Sequence, residues 1–342
     1  MTKRLPSATP FLERPLAVAW LVFVVAALVA GAVIWKLEQR SHSAERMRIN
    51  ALASDRANGI QATIEHALSA TYSLAAMVRQ GKGHVPDFEG VATEMLHWYP
   101  GVSILGLSPD GVIARVAPLT GNEKSLGFDA LKDPAQGKEA RVARDTGKLT
   151  LAGPVQLVQG GLGAVGRMPI FLDDADGKPV FWGLTYAVIR FPQALSSVRL
   201  SQLAESGLDY SLWRNNPDTG TKQIITASSN ALSDPVEQSL TVPNGQWTLS
   251  VAPRNGWDDH AALAFKVALG LAFSLMLAYA SMLFVDLKNQ KAGQESLVLQ
   301  RTKEIAASQS QLEATLEAIP DVMLEMSLDG TYHDYHAPRA NT

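Results

Sequence analysis

The chain has 342 residues, 46% hydrophobic and 18% charged, with 26 Gly, 18 Pro and no Cys. That composition excludes collagenous, low-complexity and disulfide-scaffold classes and suits two or three domains. Lys and Arg total 30 against 33 Asp and Glu, a formal net charge of -3, which lacks the basic excess of nucleic-acid binders, so no nucleic-acid partner is expected.

Residues 1–15 read as a cytoplasmic tail. Leu16–Trp35 then runs 20 residues without a charge, and a helix of that length, rising about 1.5 Å per residue, crosses a hydrocarbon core of about 30 Å. A cleaved signal peptide is the alternative, since Lys3, Arg4 and Arg14 precede the run and Ala30-Gly31-Ala32 resembles a cleavage site. The run outlasts the roughly 7–15 apolar residues of such signals, so a retained anchor is the reading.

From Leu37 to Gln80 there is no Pro and only Gly59, and Ile60, Ile64, Leu68, Ala75 and Val78 recur near helical spacing. This predicts a long amphipathic stalk helix ended by Gly81-Lys82-Gly83. Strands are expected at Val102–Leu107 and Gly111–Val116, then a helix over Asp133–Thr146, capped by Asp133 with Pro134 at its first position and stopped by Gly147. Further strands are expected at Val155–Gln159, Gly166–Leu172 and Val180–Arg190, the last two joined by the Asp173–Gly177 turn. A short helix near Pro192–Leu203 precedes strands around Leu208–Arg214, Lys222–Ala227, Gln238–Val242 and Gln246–Val251. The fold class is α+β, with residues 36–266 as the central segment between the two apolar runs.

Val267–Val285 is a second uncharged run, of 19 residues. Within about 20 residues of the spans, the outer termini carry seven Lys and Arg and the central segment six. Across the second span the contrast is sharper: Lys288, Lys291, Arg301 and Lys303 face Arg254 and Lys266. Both termini are therefore placed in the cytoplasm of a multi-pass inner-membrane protein, with the centre in the periplasm. Over 286–319, Val298, Ile305, Leu312 and Ile319 repeat every seven residues with polar Arg301, Ser308 and Thr315 between them, which reads as a one-seam signalling coiled coil. A stalk and a coil that cannot bury their apolar stripes alone predict a parallel homodimer.

Motifs that suggest chemistry are better explained structurally. Gly161-Leu162-Gly163-Ala164-Val165-Gly166 has the spacing of a dinucleotide loop, but Pro169 and a β-type run follow where a helix N-terminus is needed, so it reads as a strand connection. Asp173-Asp174-Ala175-Asp176-Gly177 lacks carboxylates where a calcium loop needs them and reads as a hairpin turn. His333 and His336, three apart on a strand, point to opposite faces, so no metal is expected there. No cofactor and no catalytic residue are assigned.

A group of local motifs carries a specific resemblance. Tyr99-Pro100-Gly101-Val102, Asp110-Gly111-Val112-Ile113, Pro118–Glu123, Gly127-Phe128-Asp129, Ala143–Gly147, Gly153–Gly161 and Pro169-Ile170-Phe171 together strongly resemble the bacterial CHASE domain, a sensory domain of membrane receptors. The match is dense over about 95–190 and looser up to about 255. The resemblance implies a long stalk helix and two tandem PAS-like units, with a small ligand in the membrane-distal one. It implies a ligand-hydrogen-bonding role for Asp129, a pocket-lining backbone at Leu151, and pocket-facing side chains at Leu184 and Ala187. It points to a small amine- or amide-bearing ligand.

Leu316–Asp321, a strand Val322–Met326, an Asp329-Gly330 turn and a strand Thr331–Tyr335 resemble the opening of a cytoplasmic PAS domain over 320–342. About 25 residues of a fold that needs about 100 suggest a piece of a longer receptor. The leading reading is a transmembrane ligand sensor whose ligand-induced helix shift drives a histidine kinase or diguanylate cyclase outside this chain. Second is a chemoreceptor, which would continue into a long methylation hairpin instead, and third a membrane-anchored periplasmic hydrolase.

Overall fold

The computed structural model describes residues 14–134, 136–228, 231–318 and 323–336. Residues 39–259 form one compact unit, and residues 14–38 with 260–336 form another.

The first helix, α1, runs unbroken from Pro15 to Gln80, so the expected anchor and stalk are one element. In the 39–259 unit its buried positions are Ile49, Ala53, Ala57, Ile60, Ile64, Leu68, Thr71, Leu74, Ala75 and Val78. They step by three or four residues and keep one face inward, and the alanines among them let strands approach closely. Val78 O caps the end by accepting from Gly83 N. A second helix, α2 (Phe88–Trp98), follows where no helix was expected; Asp87 Oδ1 accepts from Gly90 N at its start, and Phe88, Ala92 and Met95 are buried.

Five strands make the larger sheet: β1 (Val102–Pro109), β2 (Arg115–Ala117), β3 (Thr150–Gln156), β4 (Leu162–Asp173) and β5 (Pro179–Arg190), in the order β2-β1-β5-β4-β3. Each neighbouring pair is antiparallel. Four more, β6 (Leu208–Asn215), β7 (Lys222–Ala227), β8 (Val236–Val242) and β9 (Gly245–Pro253), form an antiparallel sheet ordered β7-β6-β9-β8. Between the sheets in sequence lie a 3-10 turn, Gln193–Val198, and α4 (Ser201–Glu205), so the single helix expected near Pro192–Leu203 is broken.

Three other expectations are corrected. Gly111–Val116 is not one strand: residues 111–113 pair with the 127–130 stretch, and only 115–117 joins the sheet. The strand placed at Val155–Gln159 starts earlier, at Thr150, because 157–161 forms the turn into β4. The helix α3 spans Gly137–Thr146 rather than starting at Pro134. Asp133 instead closes the preceding turn, its Oδ1 accepting from Gln136 N at 2.8 Å. Gly147 does end α3, in the left-handed region at φ 69°.

The main core joins α1 to both sheets. Ile60, Ile64 and Leu68 pack with Leu151, Ile189, Leu212, Trp247 and Leu249, and Phe191 meets Trp247 edge-on at 5.7 Å. Higher on α1, Leu74, Ala75 and Val78 pack with Phe88, Met95, Leu105 and Leu107. The stalk stripe is thus buried by the chain's own sheets, which removes it as a reason for dimerisation.

In the other unit, α5 (His260–Ala318) is a second long helix. Both α1 and α5 contain stretches long and apolar enough to cross a membrane. Gly270 of α5 lies so near α1 that an added Cβ would sit 3.3 Å from Ala30 and Ile34, and Lys266 Nζ pairs with Glu38 at 2.8 Å. Leu28, Leu269 and Phe284 are exposed, as side chains facing lipid would be. Val298, Ile305 and Leu312 of the expected coil are also exposed. A hairpin of β10 (Met323–Met326) and β11 (Tyr332–His336) ends the described chain. The tail at 1–13 and the motif residues Ile319–Val322 fall outside the described residues, as do the side chains of His333 and His336.

Candidate functional site

Strand alternation divides the five-stranded sheet into two faces. Leu105, Leu107, Ile170, Ala187 and Ile189 turn toward the helices, and Thr185 Oγ1 donates to Thr71 O of α1 at 3.0 Å. Ile104, Val165, Tyr186 and Val188 turn the other way. That outer face is covered by α3 and by the connection from Asp110 to Gln136.

The connection is a folded cover with its own hydrogen bonds. Ile113 N donates to Phe128 O at 2.9 Å, Gly127 N to Ile113 O at 2.9 Å, and Ala130 N to Gly111 O at 2.9 Å. Asn122 Nδ2 donates to Pro118 O at 2.9 Å, and Ser125 Oγ to Asn122 O at 2.6 Å. Its inner side supplies Phe128 and Ala130 to a small cluster with Ala140, Ala143 and Leu184.

Between cover and sheet lies a cavity of about 30 Å³, lined by Ser108, Phe128, Gln136, Leu157, Arg167 and Tyr186 among others. A water needs roughly 10–15 Å³ of such space, so the cavity admits about two waters or the head of a small molecule. Val158, which is exposed, and Gln159 of the β3–β4 turn mark its open side.

Arg167 and Tyr186 face each other across β4 and β5 and are both 3% exposed. Arg167 Nη2 donates to Gln136 Oε1 at 2.6 Å, while Nη1 has no partner. Burial lowers the Arg167 pKa to about 10, opposed by the nearby carboxylates of Glu139 and Asp133, so the guanidinium stays cationic at neutral pH. The Tyr186 hydroxyl lies beside Ser125, close enough for the two to influence each other but without a well-formed hydrogen bond, and burial raises its pKa. The ring occupies the place a Cβ would take at Gly106, so only glycine at 106 lets it lie flat on β1. A buried polar group left unpaired costs about 1–3 kcal/mol, which makes two facing one space a signature of function.

The four residues singled out from the sequence are dispersed. Asp129 neighbours the lining residues Phe128 and Ala130, but its Oδ1 accepts from Leu131 N at 3.0 Å and Lys132 N at 3.2 Å, and Oδ2 pairs with Lys132 Nζ at 3.0 Å. Its side chain is partly exposed, and the Lys132 bond holds its pKa below the usual value. Leu184 is buried under the cover with α3. Ala187 is on the helix side of the sheet and Leu151 is in the core that joins the sheets, its N donating to Asn244 Oδ1 at 2.7 Å. Leu184 and Ala187 stand three apart on one strand and so face opposite ways.

Sequence reasoning missed Arg167, Tyr186 and Gln136. A signal existed: Arg167 is the lone charge between Gln159 and Asp173, in a run that is otherwise apolar or glycine. The glycine-spaced run beside it is explained by packing, since a Cβ at Gly163 would meet Ile189 O at 2.6 Å and one at Gly166 would overlap Leu68 of α1. The acidic turn is a hairpin, with Asp174 Oδ1 accepting from Asp176 N and Lys178 N at 2.9 Å each. Among the described residues no three His, Asp or Glu converge on a point where a metal could sit.

Residues 74–224 match the family model of the CHASE domain. Among solved structures the chain is similar to an extracellular ligand binding receptor from Desulfohalobium retbaense, at 14% identity and TM-score 0.48, over 60% of this chain. It spans only 40% of that receptor's length. It is also similar to the sensory domain of a Campylobacter jejuni chemoreceptor, at 10% identity and TM-score 0.42, covering 64% of this chain and 97% of that one. The periplasmic domain of Vibrio cholerae LuxQ matches at 15% identity and TM-score 0.33, over 60% and 99% of the two chains. No curated protein matches the sequence.

Proposed function

We propose, from the match of residues 74–224 to the CHASE domain model, that the chain is the extracytoplasmic small-ligand sensor of a transmembrane receptor. The observation that carries the reading is the cavity on the outer face of the β1–β5 sheet, where Arg167 and Tyr186 hold polar atoms without protein partners. Two apolar stretches, one before the matched segment and one after it, are the membrane spans on this reading. We take the five-stranded and four-stranded sheets as the two PAS-like units that the sequence resemblance implies.

Ligand entry between the β3–β4 turn and the 110–136 cover pulls the two together. Asp129 acts by holding 128–132 in its turn, and Leu184 by seating the cover and α3 on β5. Because α5 runs from its span into the exposed heptad residues Val298, Ile305 and Leu312, it is the element that passes a shift to an output domain of kinase or cyclase type. Two parallel copies joined along that seam, with both termini in the cytoplasm of the inner membrane, complete the proposal.

The natural absence of Cys makes a clean test. In intact spheroplasts a membrane-impermeant maleimide should label Gln159→Cys at the cavity mouth and spare Gln290→Cys in α5 until the membrane is opened. A concentrated small-molecule extract of spent growth medium should slow labelling at Gln159→Cys and leave Pro217→Cys, in the β6–β7 turn, unaffected. Labelling of Gln290→Cys first, or equal slowing at Pro217→Cys, would overturn the sensor reading.

A further inference from the structure

We propose that the ligand of this cavity is a small carboxylate, its two oxygens docked on Arg167 Nη1 and the Tyr186 hydroxyl; this rests on the sensor reading above. Arg167 is a cation inside a strand, and its hydrogen-bonding partner is the neutral amide of Gln136. Buried guanidinium groups are ordinarily paired with carboxylates, bidentate where geometry allows, because an uncompensated buried charge is costly. Asp133 and Glu139 act on Arg167 through their charge, while the hydrogen bond of the guanidinium goes to Gln136. Asp133 Oδ1 is engaged by Gln136 N, and Glu139 divides its field between Arg167 and Arg214.

The second donor is placed to match. Arg167 and Tyr186 are directly opposite residues of an antiparallel pair and point to the same face, which sets their side chains about 5 Å apart at the Cβ atoms. A carboxylate between them can take an N–H from the guanidinium and the O–H from the phenol. Burial raises the phenol's pKa, so it keeps its proton and remains a donor. The cavity accommodates the carboxylate head, and Phe128 and Leu157 line the way toward Val158, so the rest of the ligand is short and apolar. An amine, which donates only, would meet a cation and a donor there.

The test uses the full chain in nanodiscs, with thermal unfolding followed in acetate, propionate, butyrate or benzoate, and in the amide of each, at matched ionic strength. A ligand that binds only the native state raises the unfolding temperature saturably. At least one carboxylate should do so and its amide should not. Arg167→Gln should weaken the apparent affinity by about tenfold to over a hundredfold, and Tyr186→Phe by about threefold to tenfold. Tyr186→Phe keeps the ring over Gly106, so it remains informative if Arg167→Gln fails to fold. No shift with any carboxylate, or the same shift in both variants, would overturn the assignment. The labelling of Gln159→Cys judges the sensor reading separately, since it does not depend on ligand charge.

Discussion

In the four-stranded sheet Trp213 Nε1 donates to Ser250 Oγ at 2.8 Å, and Ser250 Oγ donates to Glu237 Oε1 at 2.9 Å. Ser250 is fully buried, and its hydroxyl both donates and accepts. In the five-stranded sheet Arg167 Nη1 and the Tyr186 hydroxyl are equally buried and have none. Both sheets pack on α1, so the difference is not one of architecture. A closed polar chain adds to stability, whereas an open one holds free energy that a ligand can release.

The largest effect should come from the core the sheets share. Trp247→Ala removes a side chain that is 1% exposed and packed edge-on against Phe191, and should cost about 3–5 kcal/mol in chemical denaturation. A much smaller loss would mean that the four-stranded sheet is not packed as described. Next, Gly106→Ala forces the Tyr186 ring off β1 and should cost about 1–3 kcal/mol. It should also abolish any ligand-induced rise in unfolding temperature, which separates it from a purely structural lesion elsewhere.

The contrast is sharpest in a pair of single-oxygen deletions. Ser250→Ala leaves Trp213 Nε1 and Glu237 short of a partner and should destabilise by about 1–3 kcal/mol. Tyr186→Phe removes a hydroxyl that is already unpaired, so without ligand its effect should lie near zero or be slightly stabilising. Equal losses from the two would break the comparison.

Much of the fold was legible. Lys222–Ala227 was placed as observed, and Val180–Arg190 began one residue late, because runs of β-branched and aromatic residues between turn residues fix a strand well. The helix at Phe88–Trp98 was missed although Asp87 caps it and Phe88, Ala92 and Met95 recur at helical spacing; eleven residues after a glycine turn make a weak periodic signal. The strand expected at Gly111–Val116 failed because its alternation suited two partners, and 111–113 took the cover's ladder instead of the sheet. Of the site, Asp129 and Leu184 lie at the cover, whereas Leu151 and Ala187 have their side chains on the helix side. The parity of residue numbers along β5 could have separated Leu184 from Ala187, but the pairing of Arg167 with Tyr186 depends on the β4–β5 register, which no local motif encodes.

The smallest expected effect is a pH dependence at the cover. The Lys132 bond and the two backbone N–H bonds lower the folded pKa of Asp129 below its usual value near 3.8. Its contribution is therefore fully present above that value and is lost as pH falls through the depressed one. Asp129→Asn should remove that part of the acid sensitivity while leaving stability at neutral pH little changed, as seen in unfolding temperature against pH. A large loss at neutral pH would make Asp129 more than a turn residue.

Hydrogen–deuterium exchange of the full chain in nanodiscs, with and without a compound that raises its unfolding temperature, tests the central claim most directly. Protection should appear in residues 111–130 of the cover and 157–161 of the β3–β4 turn, with β6–β9 unchanged. Protection confined to β6–β9, or to α2, would place the ligand elsewhere and contradict the assignment of sensing to the Arg167–Tyr186 cavity.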